Sequence, residues 1–186
     1  MADEVDITDL LHRAQGGDAA AADALFAATY RELHRLARAR LRSRGRAVLL
    51  DTTSLVHESY LRLAAARNVQ IQDRVHFMRY AGRVMRSVIV DMARHHLAGR
   101  RGGGVAHVPL TLHAADGGVA GARQILDVHE ALSEMARLDP RMTQVVEMRY
   151  FGGLSEPEIA VALEVTERTV RRDWHKARLW LAQALK

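Results

Sequence analysis

The sequence predicts an all-α protein built as two small helical domains joined by a flexible linker. Three observations carry that prediction. Apolar residues recur at three- and four-residue spacing along most of the chain, the period of a helix that buries one face. No segment sustains the period-two alternation of a half-buried strand. The stretch from Gly99 to Ala122 holds seven glycines and Pro109, a composition that interrupts helices and separates domains. The expected division is a helical domain over 1–98, a Gly-rich linker over 99–124 and a C-terminal domain over 125–186.

Each helix has its own local warrant. Ile7 to Ala14 is a short helix capped by Asp6 or Thr8 and ended by Gly16-Gly17. Asp18 opens a longer one whose apolar face is Phe26, Tyr30, Leu33, Ala37 and Leu41, with Arg31, Arg35, Arg38 and Arg42 around it until Gly45 intervenes. The cap cluster Asp51-Thr52-Thr53-Ser54 begins a third helix running to about Ala66, with Leu55, Val56, Tyr60 and Leu63 inward. After a polar loop from Arg67 to Asp73, a fourth helix spans Val75 to about Ala98. It carries Phe77, Tyr80, Ala81, Val84, Val88 and Met92 on one face and Arg79, Arg83, Arg86 and Arg94 off it. Beyond the glycines, Leu126 to Leu138 is helical, and Asp139-Pro140 supplies a cap followed by proline at the first helical position. Gly152-Gly153 stops the helix that follows.

The most specific stretch is Leu154 to Leu181. Ser155 and Glu158 are spaced as a capping box, Leu154 and Ile159 as a hydrophobic staple, and Pro157 falls in the first turn, where its missing N–H is harmless. Thr166 then repeats the cap, with Val165 and Val170 as a second staple, although Thr169 stands where a box glutamate would be. Two helix starts this close imply a helix-turn-helix. The second helix sets Val170, Trp174, Ala177 and Leu181 against a stripe of Arg168, Arg171, Arg172, His175 and Lys176, the arrangement of a helix that packs on one side and meets phosphates and base edges with the other.

Charge supports a polyanionic partner. The net charge is +5, and basic residues concentrate in three places: Arg31 to Arg46, Arg74 to Arg101 and the last helix. Absence of cysteine excludes disulfides and thiolate metal sites. No apolar window approaches the ~18 residues of a membrane span, and the acidic start MADEVDITD is unlike a signal peptide. A cytoplasmic protein without membrane insertion is expected.

In order and spacing these segments resemble the extracytoplasmic function (ECF) group of sigma factors, the minimal two-domain members of the sigma-70 family. DALFAATYRELHRLARARL is similar to region 2.1, DTTSLVHESYLRLAAAR to region 2.2, HFMRYAGRVMRSVIVDMARHH to regions 2.3 and 2.4, and LDPRMTQVVEMRYFGGLSEPEIAVALEVTERTVRRDWHKARLWL to region 4. The resemblance implies a protein that is not an enzyme and needs no cofactor or metal. Its partners would be promoter DNA and core RNA polymerase, through the beta-prime and beta subunits. It implies that Arg168, Thr169, Arg171, Arg172, His175 and Lys176 contact the minus 35 element. Asn68, His76, Arg79, Arg83, Arg86 and Arg94 would hold the minus 10 region, with the loop from Arg67 to His76 as a pocket for splayed bases. Asp51, Thr53, Ser54, Leu55, Val56, His57 and Glu58 would meet the polymerase.

Two departures from the family pattern matter. Many members read Asp-Ala-Glu-Asp-Leu-Val-Gln-Glu where this chain has Asp51 to Glu58, so hydroxyls at Thr53 and Ser54 replace two acids. A phosphate adds about −1.5 to −2 charge, and activation by a Ser/Thr kinase at Thr52, Thr53 or Ser54 is the expectation. The same hydroxyls also suffice as a helix N-cap, and control by an anti-sigma protein is left open. The second departure is Glu164, in the turn where the family usually has glycine; a left-handed non-glycine residue costs on the order of 1 kcal/mol.

Two rival readings fit the sequence less well. A helix-turn-helix regulator that is not a sigma subunit, for instance of the response-regulator type, would carry an α/β receiver, and residues 1–98 show no alternating strands. A metal-dependent enzyme is suggested by ten histidines, but His57-Glu58 lacks the second histidine of a zincin helix and adjacent His95-His96 point to different faces.

Overall fold

The computed structural model describes residues 6–42, 52–65, 71–99 and 117–186, and every regular element among them is helical. These are α1 (Ile7–Gln15), α2 (Ala19–Arg42), α3 (Thr52–Ala65), α4 (Arg74–Gly99), α5 (Gly117–Leu138), α6 (Pro140–Val146), α7 (Glu156–Ala162) and α8 (Glu167–Ala184). A single π turn, Glu147–Phe151, continues α6. No described helix is long and apolar enough to cross a membrane.

Helix starts follow their caps. Asp6 accepts the Thr8 amide at 2.8 Å, and Asp18 accepts that of Ala21 at 3.0 Å. Asp139 caps α6 through Met142 N at 2.9 Å, with Pro140 in the first turn as expected. Gly17, at φ 90°, makes the reversal between α1 and α2 that a side chain would resist.

Apolar packing runs across the boundary between the two halves. One continuous apolar cluster joins Leu33, Leu36, Leu55, Val56, Met78 and Met85 of the N-terminal half to Val145, Met148, Leu154, Ile159 and Val170 of the C-terminal half. A second cluster, Leu132, Met135, Met142, Val146, Phe151 and Ala177, sits behind it. Helix α4 is consequently central. It buries Met78, Gly82, Met85, Val90 and Ala93 in addition to Phe77, Ala81, Val84 and Val88, because α3 covers one side and α5 with the π turn cover another.

Two sequence expectations shift with this packing. Helix α5 begins at Gly117 and not Leu126, inside the expected linker; the helix packs on α4, and Ala122 is fully buried. Contact with a neighbour overrides the low helix propensity of glycine. Residues 100–116 of that linker lie outside the described residues. Phe26, expected inward, is 49% exposed and leans on Tyr60 at 4.4 Å between ring centroids, while Leu36 takes the interior place. The side chain of Leu41 is outside the described set.

Candidate nucleic-acid interface

The helix-turn-helix forms as its caps predict. Glu158 Oε2 accepts the Ser155 amide at 2.7 Å and its hydroxyl at 2.6 Å, closing the capping box. Burial raises the Glu158 pKa, but those two bonds and the Arg74 guanidinium outweigh it and hold the carboxyl below its ordinary range. Both staples bury, with Leu154, Ile159 and Val170 in the common core and Val165 against it. Helix α7 ends in a Schellman arrangement: Val165 N donates to Ala160 O at 3.0 Å and Glu164 N to Val161 O at 3.2 Å. Glu164 adopts φ 53°, the left-handed conformation that its position predicts. Thr166 then caps α8 by accepting Thr169 N at 3.3 Å.

On α8, Arg168, Arg171, Arg172, His175 and Lys176 are exposed and Thr169 half-buried, while Val170 and Ala177 are fully buried on the opposite side. The stripe is held in place by acids at its foot: Arg171 lies 3.3 Å from Glu156 and 3.6 Å from Glu167. Arg149 donates to Glu156 at 2.6 Å and lies 4.9 Å from the centroid of the Trp174 ring.

The periodicity missed Asp173. It sits on the buried face, 3% exposed, and Arg141 Nε donates to it at 2.8 Å from α6. Its acceptor oxygens raise the Arg141 pKa. No spacing rule separates a carboxylate on an apolar face from one on a polar face; only the i−32 partner does.

The arginines of α4 behave differently from those of α8. Arg94 and Arg83 are exposed, at 3.7 Å from Asp91 and Glu147. Arg79 is partly covered, and burial followed by repulsion from Arg83 lowers its pKa. Arg86 does not face solvent: only 14% exposed, it donates to Glu147, to His129 Nδ1 at 3.1 Å, to the His129 carbonyl at 3.3 Å and to Ser133 Oγ at 3.4 Å. Burial, then the nearby Arg86 and Arg94, lowers the His129 pKa, consistent with a neutral ring whose Nδ1 accepts from a guanidinium that can only donate. His76 is exposed and its amide donates to Asp73 at 2.8 Å. Asn68 lies outside the described residues. Phe77 is core and Tyr80 packs against it, as their spacing implies.

Helix α1 braces the segment just before α4. Thr8 Oγ1 accepts Arg74 N at 3.2 Å, His12 Nε2 donates to Gln72 O at 3.1 Å and Gln15 Nε2 to Ile71 O at 3.3 Å.

The expected polymerase-facing residues on α3 divide by face. Leu55 and Val56 are fully buried and hold the helix in the core, so they present nothing outward. Thr53 and His57 are exposed, and Leu61, which the sequence reading did not single out, continues that strip at 49% exposure. Glu58 pairs with Arg62 at 3.0 Å. Asp51 and the side chain of Thr52 are outside the described set.

Among the described residues, no three metal-ligating side chains cluster. No curated protein and no solved structure is found to match the chain. A family model described as ECF sigma factor matches residues 4–186. With that match running through both the α4 helix and the helix-turn-helix, the chain belongs to the ECF sigma factor family, whose members are transcription initiation factors.

Proposed function

We propose that this family member carries core RNA polymerase to promoters by holding a minus 10 region along α4 and a minus 35 element against α8. The observation that carries the reading is the exposed stripe of Arg168, Arg171, Arg172, His175 and Lys176, backed by fully buried Val170 and Ala177. A stripe so mounted can enter a major groove without disturbing the core beneath it. Arg79, Arg83 and Arg94, with His76, supply the second cationic surface. The division of labour follows the two halves, 1–98 for polymerase and minus 10 and 125–186 for minus 35, with α5 reaching back to Gly117. The test is reconstitution: purified chain added to core polymerase should yield run-off transcripts from a subset of promoters. Transcripts only when another sigma subunit is also present would identify a regulator instead.

The polymerase-facing strip is Thr53, His57 and Leu61 on α3, and Thr53 lies in its first turn. A phosphate there gains from the helix N-terminus and restores the anionic character of the family pattern. A Ser/Thr kinase acting at Thr53 or its neighbours Thr52 and Ser54 would therefore strengthen polymerase binding. Thr53→Glu is expected to retain more core polymerase than Thr53→Ala in a pull-down, and equal retention would remove the kinase from the scheme.

A further inference from the structure

Helix α1 spends one stripe of side chains on the backbone of a distant segment. Thr8, His12 and Gln15 stand four and three residues apart, the spacing of one helix face. Each reaches the stretch where α4 begins: Thr8 Oγ1 accepts Arg74 N at 3.2 Å, His12 Nε2 donates to Gln72 O at 3.1 Å, and Gln15 Nε2 donates to Ile71 O at 3.3 Å. Residues 71–73 belong to no helix, so their carbonyls take partners outside any helical ladder. Arg74 N lies in the first turn of α4, where four amides lack an intrahelical acceptor. Asp73 serves the same helix end by accepting His76 N at 2.8 Å.

The stripe is not what holds α1 to the protein. Ile7 and Leu10 pack with Ala21 and Ala28 of α2 in a small apolar cluster of their own, joined by Ala14, Ala24 and Leu25. Thr8 is half-buried, and His12 and Gln15 are exposed, so the three bonds compete with water and add little to overall stability. Nor does α1 offer itself to DNA. Its arginine, Arg13, is taken by Asp18 at 2.8 Å and lies 3.6 Å from Asp9, and Asp6 leads the helix. What the stripe does is fix the course of residues 71–74. Residues 71–76 are the described part of the loop expected to take splayed bases, and a receiver already in shape avoids the entropy of ordering at each capture.

We propose that α1 is a positioning element for minus 10 recognition, in which Thr8, His12 and Gln15 hold residues 71–74 in the shape that receives unstacked bases. This rests on the function proposed above and deepens it. The three side chains act through the backbone that they hold, and residues 71–76 make the contact. Discrimination at the minus 10 element therefore depends on them, and discrimination at the minus 35 element does not.

The test uses the full-length chain with core polymerase and promoter fragments that the wild-type holoenzyme transcribes, each also made with single-base substitutions in the minus 10 or the minus 35 element. Run-off yields then give a discrimination ratio for each element. Gln15→Glu is near-isosteric but cannot donate, and Thr8→Val keeps the shape but loses the hydroxyl. Each should lower minus 10 discrimination about threefold, and the two together about fivefold or more. Minus 35 discrimination, polymerase retention and the urea midpoint should stay close to wild type, and Thr8→Ser should restore the minus 10 ratio. Unchanged minus 10 discrimination in the double variant would overturn the positioning role, as would an equal loss at both elements or a Thr8→Ser that does not rescue. If the double variant does not fold, the single variants carry the same comparison. A wild-type chain that directs no promoter-specific transcription would sink the proposed function, and the positioning role with it.

Discussion

Single residues decide where the helix-turn-helix strains and where the contact between α4 and α5 responds to acid. Glu164 stands at φ 53°, with no glycine to relieve the clash between Cβ and the following carbonyl. Glu164→Gly removes that clash while adding unfolded-chain entropy, and the net gain in stability should be up to about 1 kcal/mol, read from the urea midpoint. Glu164→Val, β-branched and equally forced, should lower it. His129 gives a pH dependence with a definite sign. Burial, then Arg86 and Arg94, sets its folded pKa below the unfolded value, so the unfolded chain binds the proton first. Its contribution is complete above the ordinary histidine range and is lost as pH falls through that range. Acidification should therefore weaken the contact between α4 and α5, and His129→Gln should flatten the dependence in urea titrations run across that range.

At the scale of elements, helix α8 is anchored by an ion pair whose two ends are unequally wet. Asp173 is 3% exposed and Arg141 is 45% exposed. Truncating Arg141 strands a buried carboxylate with only the longer 3.4 Å contact to Arg172, whereas truncating Asp173 leaves a guanidinium that water already reaches. Arg141→Ala should cost about 2 kcal/mol and Asp173→Ala about 1 kcal/mol. Equal losses in chemical denaturation would contradict the asymmetry. The caps explain why these elements were so legible. Asp6, Asp18, Asp139, Ser155 and Thr166 each bond within three residues of themselves, so their chemistry is written in consecutive letters. The start of α5 was not legible, because Gly117, Gly118 and Gly121 argue against a helix, and burial such as that of Ala122 is not encoded in local spacing.

At the scale of the whole molecule, two cationic surfaces have different availability in one chain. The α8 stripe is outward, and Arg171→Ala combined with Arg172→Ala should abolish minus 35 dependent transcription while core polymerase binding persists, since neither side chain belongs to the α3 strip or to α4. Polymerase retention and run-off transcription measured on the same preparation check this division; loss of both would merge the two roles. The sequence by itself determined the all-α class, the helix starts other than that of α5, the strained turn at Glu164 and the basic face of α8, because periodicity, capping and charge act over one or two turns. Tertiary structure alone decided that Asp173 is buried, that Gly82 meets Gly152 and that Arg86 is held by Glu147. Those outcomes depend on which surfaces distant in the chain come together, and burial against a partner 61 residues away leaves no mark on the residues beside Arg86.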